Sequence, residues 1–197
     1  MPKQVDHEQR RRLLADAVFA AIGTNGYESV SLRDIAERSG YSMGTVQYYF
    51  PTKQQMLLFA LAHMRDRVLV RLTAALDRLD QPTSRDRIRA GAAVMLPIDE
   101  AGREEACVNV AFYAAATVTP AYADQLRAGY ERVLTVSRNN FQDAAVRGEL
   151  RTGTDPDREA QSFYFLTQGL IGPVLLGLYR PAEALALLDA YLDRVFR

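Results

Sequence analysis

The stretch from residue 31 to residue 53 predicts three helix starts at close spacing. Ser31, Ser42 and Thr52 each stand where a side-chain oxygen can accept a hydrogen bond from the backbone N–H three residues later. Gly40, between the first two starts, suits the left-handed residue that commonly ends a helix. Two short helices joined by a tight turn, with a third helix following at once, are typical of a helix-turn-helix DNA-binding unit. The segment therefore predicts a helical N-terminal region whose second short helix contacts DNA.

The side chains of that second helix divide into an inward and an outward set. If Val46 faces the core, Tyr49 and Phe50 lie three and four residues on and share its face. The outward set is then Gly44, Thr45, Gln47 and Tyr48. A Gln amide can pair with the major-groove edge of adenine, and hydroxyl groups suit phosphate oxygens. Lys53 adds a cation at the start of the next helix, where the N-terminus already attracts phosphate.

Residues 17–57 resemble the TetR family of one-component transcriptional regulators, most specifically through the pattern S-x-G-T-hydrophobic-x-x-Y-F-x-x-K at Ser42–Lys53. Gln47 stands where many members have Tyr, so the operator sequence does not follow from the resemblance. The resemblance implies contacts with double-stranded operator DNA at Ser42, Thr45, Gln47, Tyr48, Tyr49 and Lys53, with Arg33 on the DNA backbone. Met43 and Gly44 complete the predicted DNA-binding set.

The rest of the chain also has the apolar spacing of helices. The longer predicted helices span about residues 6–24, 53–80, 84–96 with Ser84 as the cap, 100–118, 120–147, 156–179 and 182–196. No convincing strand appears, so the predicted fold is all-α with about nine helices. We expect a three-helix helix-turn-helix domain at residues 1–52. The helical domain at residues 53–197 is expected to bind an effector and dimerise, since beyond Met64 the chain is similar to the BetI-like branch.

Aromatic and Met side chains with a few polar tips occur along this second domain, as they do in small-molecule pockets. The same residues are equally typical of a helical core, and both interpretations stay open. The predicted ligand-pocket residues are Met64, Met95, Phe112, Tyr113, Thr117, Tyr130, Phe163, Tyr164 and Gln168.

The family resemblance implies a homodimer in which the last two helices form a four-helix bundle with their copies. The predicted interface residues are Phe165, Gly169, Gly172, Leu176, Leu185, Leu188 and Leu192.

Charge placement is more informative than net charge, because 24 basic residues balance 24 acidic ones. Lys3 and Arg10–Arg12 lie where an arm or first helix could meet phosphates, although a solvated helix end explains them equally well. The single cysteine, Cys107, excludes an intramolecular disulfide and a multi-cysteine metal site. Without a signal-peptide pattern or an apolar run of membrane-spanning length, we expect a cytoplasmic protein that does not contact a membrane.

An enzyme is disfavoured, because neither His7 nor His63 has a ligand-like or catalytic partner at a recognisable spacing, and no phosphate loop or nucleophile motif appears. We expect no catalytic residues, metal or cofactor. A helical small-molecule or lipid carrier without DNA binding is the alternative, but it leaves the three successive caps unexplained. The sequence favours a homodimeric transcriptional regulator, a repressor that an unidentified small molecule releases from its operator.

Overall fold

The structure, a computed structural model, describes residues 2–197, with side chains from His7 onward. The described residues form nine helices and no named strand; one isolated antiparallel bridge joins Leu150 to Phe196. The all-α prediction is therefore confirmed. The helices are α1 (Pro2–Asn25), α2 (Leu32–Ser39), α3 (Met43–Tyr49), α4 (Lys53–Asp77), α5 (Ser84–Met95), α6 (Glu100–Ala116), α7 (Pro120–Val146), α8 (Pro156–Leu175) and α9 (Pro181–Val195).

The three predicted caps are present at the starts of α2, α3 and α4. The hydroxyl groups of Ser31, Ser42 and Thr52 accept hydrogen bonds from the amides three residues later, at 3.1, 3.1 and 3.2 Å. Gly40 ends α2 in the left-handed region with φ 71°. Because each cap satisfies an otherwise unpaired N–H, local sequence determines where these helices begin.

Two predicted helix ends were wrong. The cap of α5 is Thr83 rather than Ser84, because Thr83 and Asp86 exchange hydrogen bonds while Ser84 is buried within the first turn. Helix α8 ends at Leu175 rather than near residue 179, because Gly177 takes a left-handed φ of 73° and turns the chain.

The chain folds as two compact units. The first contains the described residues up to Arg67 together with Cys107–Leu126. Its core joins apolar side chains of α1 to α4, α6 and the start of α7, and these helices hold α3 in place. The largest fully buried members are Leu14, Phe19, Ile35, Phe50, Met56, Leu57, Leu61 and Phe112.

The second unit contains Val68–Ala106 and Arg127–Arg197. Its largest fully buried side chains are Leu96, Phe141, Leu188 and Leu192. The two units do not divide at the predicted boundary between residues 52 and 53, because α4, α6 and α7 each place residues in both. The functional division at that boundary stays a prediction. None of the described helices combines the length and apolar composition needed to cross a bilayer.

Candidate nucleic-acid interface

Helix α3 presents a polar surface over a buried apolar one. Val46, Tyr49 and Phe50 are buried, as the predicted inward face requires. The exposed set contains Met43, Gly44, Gln47 and Tyr48, and Tyr48 leaves 73% of its surface open. The amide of Gln47 and the phenol of Tyr48 are therefore accessible to a groove edge or a phosphate.

The first turn of α3 leaves room for a close approach from outside. Ser42 Oγ lies 2.8 Å from Thr45 Oγ1 and also caps the helix, so both hydroxyls are held at its N-terminal end. A Cβ added at Gly44 would meet only Ser42 Oγ at 3.9 Å. The fold itself therefore does not require a glycine at this position, and a contact of Gly44 with a phosphodiester backbone stays a prediction.

The predicted DNA-binding cations have partners within the protein. The side chain of Arg33 is 85% exposed and pairs with Glu37 at 3.2 Å. Lys53 Nζ donates to the Glu28 carbonyl at 3.4 Å and lies 5.7 Å from the Tyr27 ring centre. Such exposed contacts contribute little free energy, so phosphates can replace them.

The three N-terminal arginines differ in their surroundings. The Arg11 guanidinium lies 4.1 Å from the ring centre of Phe59 and 5.2 Å from that of Phe50, which is a packing role. Arg10 Nη1 donates to the hydroxyl of Tyr49 at 3.4 Å. Arg12 is exposed, at 3.7 Å from Glu8. The side chain of Lys3 lies outside the described residues.

Tyr49 is predicted both to face inward and to contact DNA. The structure places its ring inward, against α1. Its contact with DNA stays a prediction. His7 is not among the predicted DNA-binding residues, yet its ring lies 4.7 Å from that of Tyr49 and 6.0 Å from that of Tyr48. No sequence pattern links α1 to α3 at this separation, so only the fold shows the contact.

The predicted ligand-pocket residues are divided between the two units. Met64, Phe112, Tyr113 and Thr117 belong to the first unit, where Met64 and Phe112 are buried in the core and the other two are exposed. The second unit contains Met95, Tyr130, Phe163, Tyr164 and Gln168. There the rings of Tyr130 and Tyr164 meet edge to face at 5.2 Å. That any of these residues line an effector pocket stays a prediction.

An open cavity of about 340 Å³ lies in the first unit, and none of the predicted pocket residues lines it. Its walls are Arg11, Tyr49, Phe50, Gln55, Leu58, Phe59, Ala62 and Gln125.

Four predicted interface residues lie on α8 or directly after it: Phe165, Gly169 and the C-cap residue Leu176 are exposed, and Gly172 is half-buried. Phe165 is 58% and Leu176 is 77% exposed, and a Cβ added at Gly169 or Gly172 would meet nothing within 4 Å. Leu185 on α9 is half-buried. Leu188 and Leu192 are fully buried in the core of their own unit and offer no area to a second copy. We therefore remove these two residues from the predicted interface.

Comparison with known proteins identifies the family. Residues 84–197 match the family described as "BetI-type transcriptional repressor, C-terminal", and residues 14–59 match "Bacterial regulatory proteins, tetR family". The chain belongs to the TetR family. This TetR-family protein is a DNA-binding transcriptional regulator and not an enzyme, with an N-terminal DNA-binding domain and a C-terminal ligand-binding domain. Family membership sets aside the alternative of a carrier without DNA binding.

Three similar proteins illustrate the relationship. The regulator is 31% identical to the HTH-type transcriptional regulator PksA of Bacillus subtilis, over 86% of this chain and 80% of PksA. A transcriptional regulator from Rhodococcus sp. Rha1 is 28% identical with a TM-score of 0.80, covering 94% and 95% of the two chains. A regulator from Saccharomonospora viridis, solved in complex with choline, is 24% identical with a TM-score of 0.87, covering 96% and 99%. At that identity the last similarity shows the fold alone.

Proposed function

We propose that this TetR-family regulator is a homodimeric repressor whose two α3 helices enter successive major grooves of a palindromic operator. The observation that carries the proposal is the surface of α3, where Gln47 and Tyr48 are exposed directly above the buried Val46, Tyr49 and Phe50. A helix fixed by its own core already holds the backbone of its base-contacting residues, so binding has to order only their side chains. The two half-sites are expected about 34–36 Å apart.

The first experiment is binding to the DNA upstream of the regulator's own gene, with a random sequence of equal length as the control and a titration of salt. Selective binding by a dimer, weakening steeply with salt, is the expected result. A genome-wide selection follows if that region is not bound. Failure of both to return a preferred sequence would contradict the proposal.

Gln47 is proposed to contact a base. Gln47→Ala should weaken operator binding by about 1–3 kcal/mol while binding to random DNA stays unchanged. Gln54→Ala is a matched control, because Gln54 is exposed near the start of α4 and is not in the proposed contact set. An unchanged ratio of operator to random affinity in Gln47→Ala would remove Gln47 from base recognition.

Lys53 is proposed to contact phosphate. Lys53→Ala should lower affinity for all sequences and reduce the salt slope by about one. Arg33→Ala should act in the same direction. A slope equal to that of the wild type would contradict the phosphate role of either residue.

The dimer is proposed to form through the surface of α8 that contains Phe165, Gly169 and Gly172, together with Leu176 directly after the helix. Small residues with open space above them allow a second helix to approach closely. Phe165→Asp should give monomers in sedimentation. Val146→Asp, on an 89% exposed apolar residue of α7, should leave the dimer intact. A dimer that survives the first change would place the interface elsewhere.

The effector is proposed to bind beside Tyr130 and Tyr164 in the second unit. Their rings supply the faces and edges that apolar or cationic small molecules contact. Choline, the ligand of the Saccharomonospora viridis regulator, is a suitable first probe for thermal-shift and operator-release assays. A ligand that releases the wild type but not Tyr130→Ala would support this site; equal release of both would contradict it.

A further inference from the structure

We propose that His7 of α1 is a positioning residue for operator binding, because its ring holds the exposed Tyr48 ring of α3 in one orientation. The inference rests on the proposed DNA-binding role of α3. It adds a residue of α1, outside the helix-turn-helix segment, to the machinery that presents the DNA-contacting surface.

Three aromatic rings form a closed cluster at the C-terminal end of α3. The ring centres of His7 and Tyr49 lie 4.7 Å apart, those of His7 and Tyr48 lie 6.0 Å apart, and those of Tyr48 and Tyr49 lie 5.2 Å apart. Both contacts of Tyr48 are edge-to-face, with interplanar angles of 72° and 82°. These distances and angles are the preferred geometry of aromatic pairs. The Tyr48 ring is therefore supported from two sides.

Tyr48 needs this support because most of its surface is in solvent. Exposed side chains exchange rotamers on the picosecond to nanosecond timescale, and fixing one on binding costs free energy. The contact with Tyr49 comes from the neighbouring residue and moves with α3. The contact with His7 comes from a different helix, so it ties the ring to the rest of the unit.

The face of α1 that contains His7 is anchored along its length. Arg10 donates to the Tyr49 hydroxyl, and Arg11 packs on Phe50 and Phe59. Leu14, one turn further on, is fully buried. Because positions 7, 10, 11 and 14 share one face of a helix, this packing fixes where the His7 ring lies relative to α3.

The test is a double-mutant cycle in operator binding with His7→Ala, Tyr48→Ala and the double variant. His7→Ala should weaken binding about three- to tenfold in the wild-type background, as expected from loss of the His7–Tyr48 pair. In the Tyr48→Ala background the same change should have no effect, since the ring that it positions is gone. His7→Phe retains an aromatic ring and should restore most of the affinity.

The control is Leu13→Ala, a half-exposed apolar residue of the same helix outside this face, which should leave affinity unchanged. Circular dichroism and melting temperature confirm that each variant is folded. An equal loss from His7→Ala in both backgrounds, or no rescue by His7→Phe, would overturn the inference and indicate a direct contact of the imidazole with DNA. A lower salt slope in His7→Ala would overturn it for the same reason.

The variants of the double-mutant cycle distinguish failure of this inference from failure of the proposed function. A wild type without a preferred DNA sequence would contradict the proposed function and the inference together. Selective binding that depends on Tyr48 but not on His7 would overturn the inference alone. Selective binding that is indifferent to Tyr48→Ala would also overturn it, because there would be no operator contact to position.

Discussion

Two glycines in helices, Gly102 and Gly23, should respond in opposite directions to the same substitution. A Cβ added at Gly102, near the start of α6, would lie 2.7 Å from the Leu96 carbonyl oxygen, 3.0 Å from Asp99 Oδ1 and 3.1 Å from Arg71 Nη2. A Cβ added at Gly23 of α1 would meet nothing within 4 Å. Because both positions are helical, the packing around the added methyl group decides whether the substitution raises or lowers the free energy of unfolding.

For Gly102→Ala, a small gain in helix propensity is outweighed by a larger loss from overpacking, both in the free energy of unfolding. Alanine in a helix gains roughly 0.5–1 kcal/mol over glycine. The backbone carbonyl of Leu96 must move to admit the methyl group, and overpacking of this kind costs about 1–3 kcal/mol. The shift also disturbs Asp99, whose Oδ1 accepts the Gly102 amide at 2.7 Å and which pairs with Arg71 at 3.1 Å. Weakening that end of the helix costs roughly a further 1 kcal/mol.

We therefore expect Gly102→Ala to destabilise the regulator by about 1–3 kcal/mol and Gly23→Ala to stabilise it by roughly 0.5–1 kcal/mol. At this chain length the melting temperature changes by about 2–4 °C per kcal/mol. The assay is thermal unfolding followed by circular dichroism, at one protein concentration because a dimer melts in a concentration-dependent way. A Gly102→Ala variant as stable as the wild type would refute the packing argument. A destabilised Gly23→Ala would show that open space around the added Cβ is not enough for a glycine-to-alanine change to stabilise a helix.

Three further changes test separate parts of the structure. Phe50→Ala removes a fully buried ring from the first core and should lower the free energy of unfolding by about 3–5 kcal/mol, as measured in urea. Thr83→Ala should cost about 1 kcal/mol by the same measurement, because it removes the cap of α5; no loss would contradict the assignment of that cap. Asp189→Asn tests pH dependence. The hydrogen bond from Arg89 lowers the pKa of Asp189, although partial burial acts in the opposite direction. The ionised Asp189 therefore stabilises the fold above its unfolded-state pKa, and this stabilisation is lost as the pH falls through the lower folded-state pKa. Urea melts should show wild type more stable than Asp189→Asn by up to about 1 kcal/mol at pH 7, and this difference should shrink as the pH falls below the unfolded-state pKa. A difference that does not change with pH would contradict the pairing.

The sequence alone determined the features that depend on near neighbours in the chain. Ser31, Ser42 and Thr52 begin helices because each accepts from an amide three residues away, and no tertiary contact is needed for that. The inward placement of Val46, Tyr49 and Phe50 follows from the helical period in the same way. The all-α fold and the outward surface of α3 could therefore be predicted before the structure was known.

The tertiary structure decided which surfaces meet. Periodicity shows that residues share a helix face but not what covers that face, so Leu188 and Leu192 were expected at a dimer interface and lie instead in their own core. The same limit explains the predicted pocket residues, which share a composition but are divided between the two units. Arg10 and Tyr49 are 39 positions apart in the chain, and their contact, like that of His7 with Tyr48, exists only because the fold brings side chains of α1 against α3. Such contacts depend on the packing of whole helices, which local sequence does not specify.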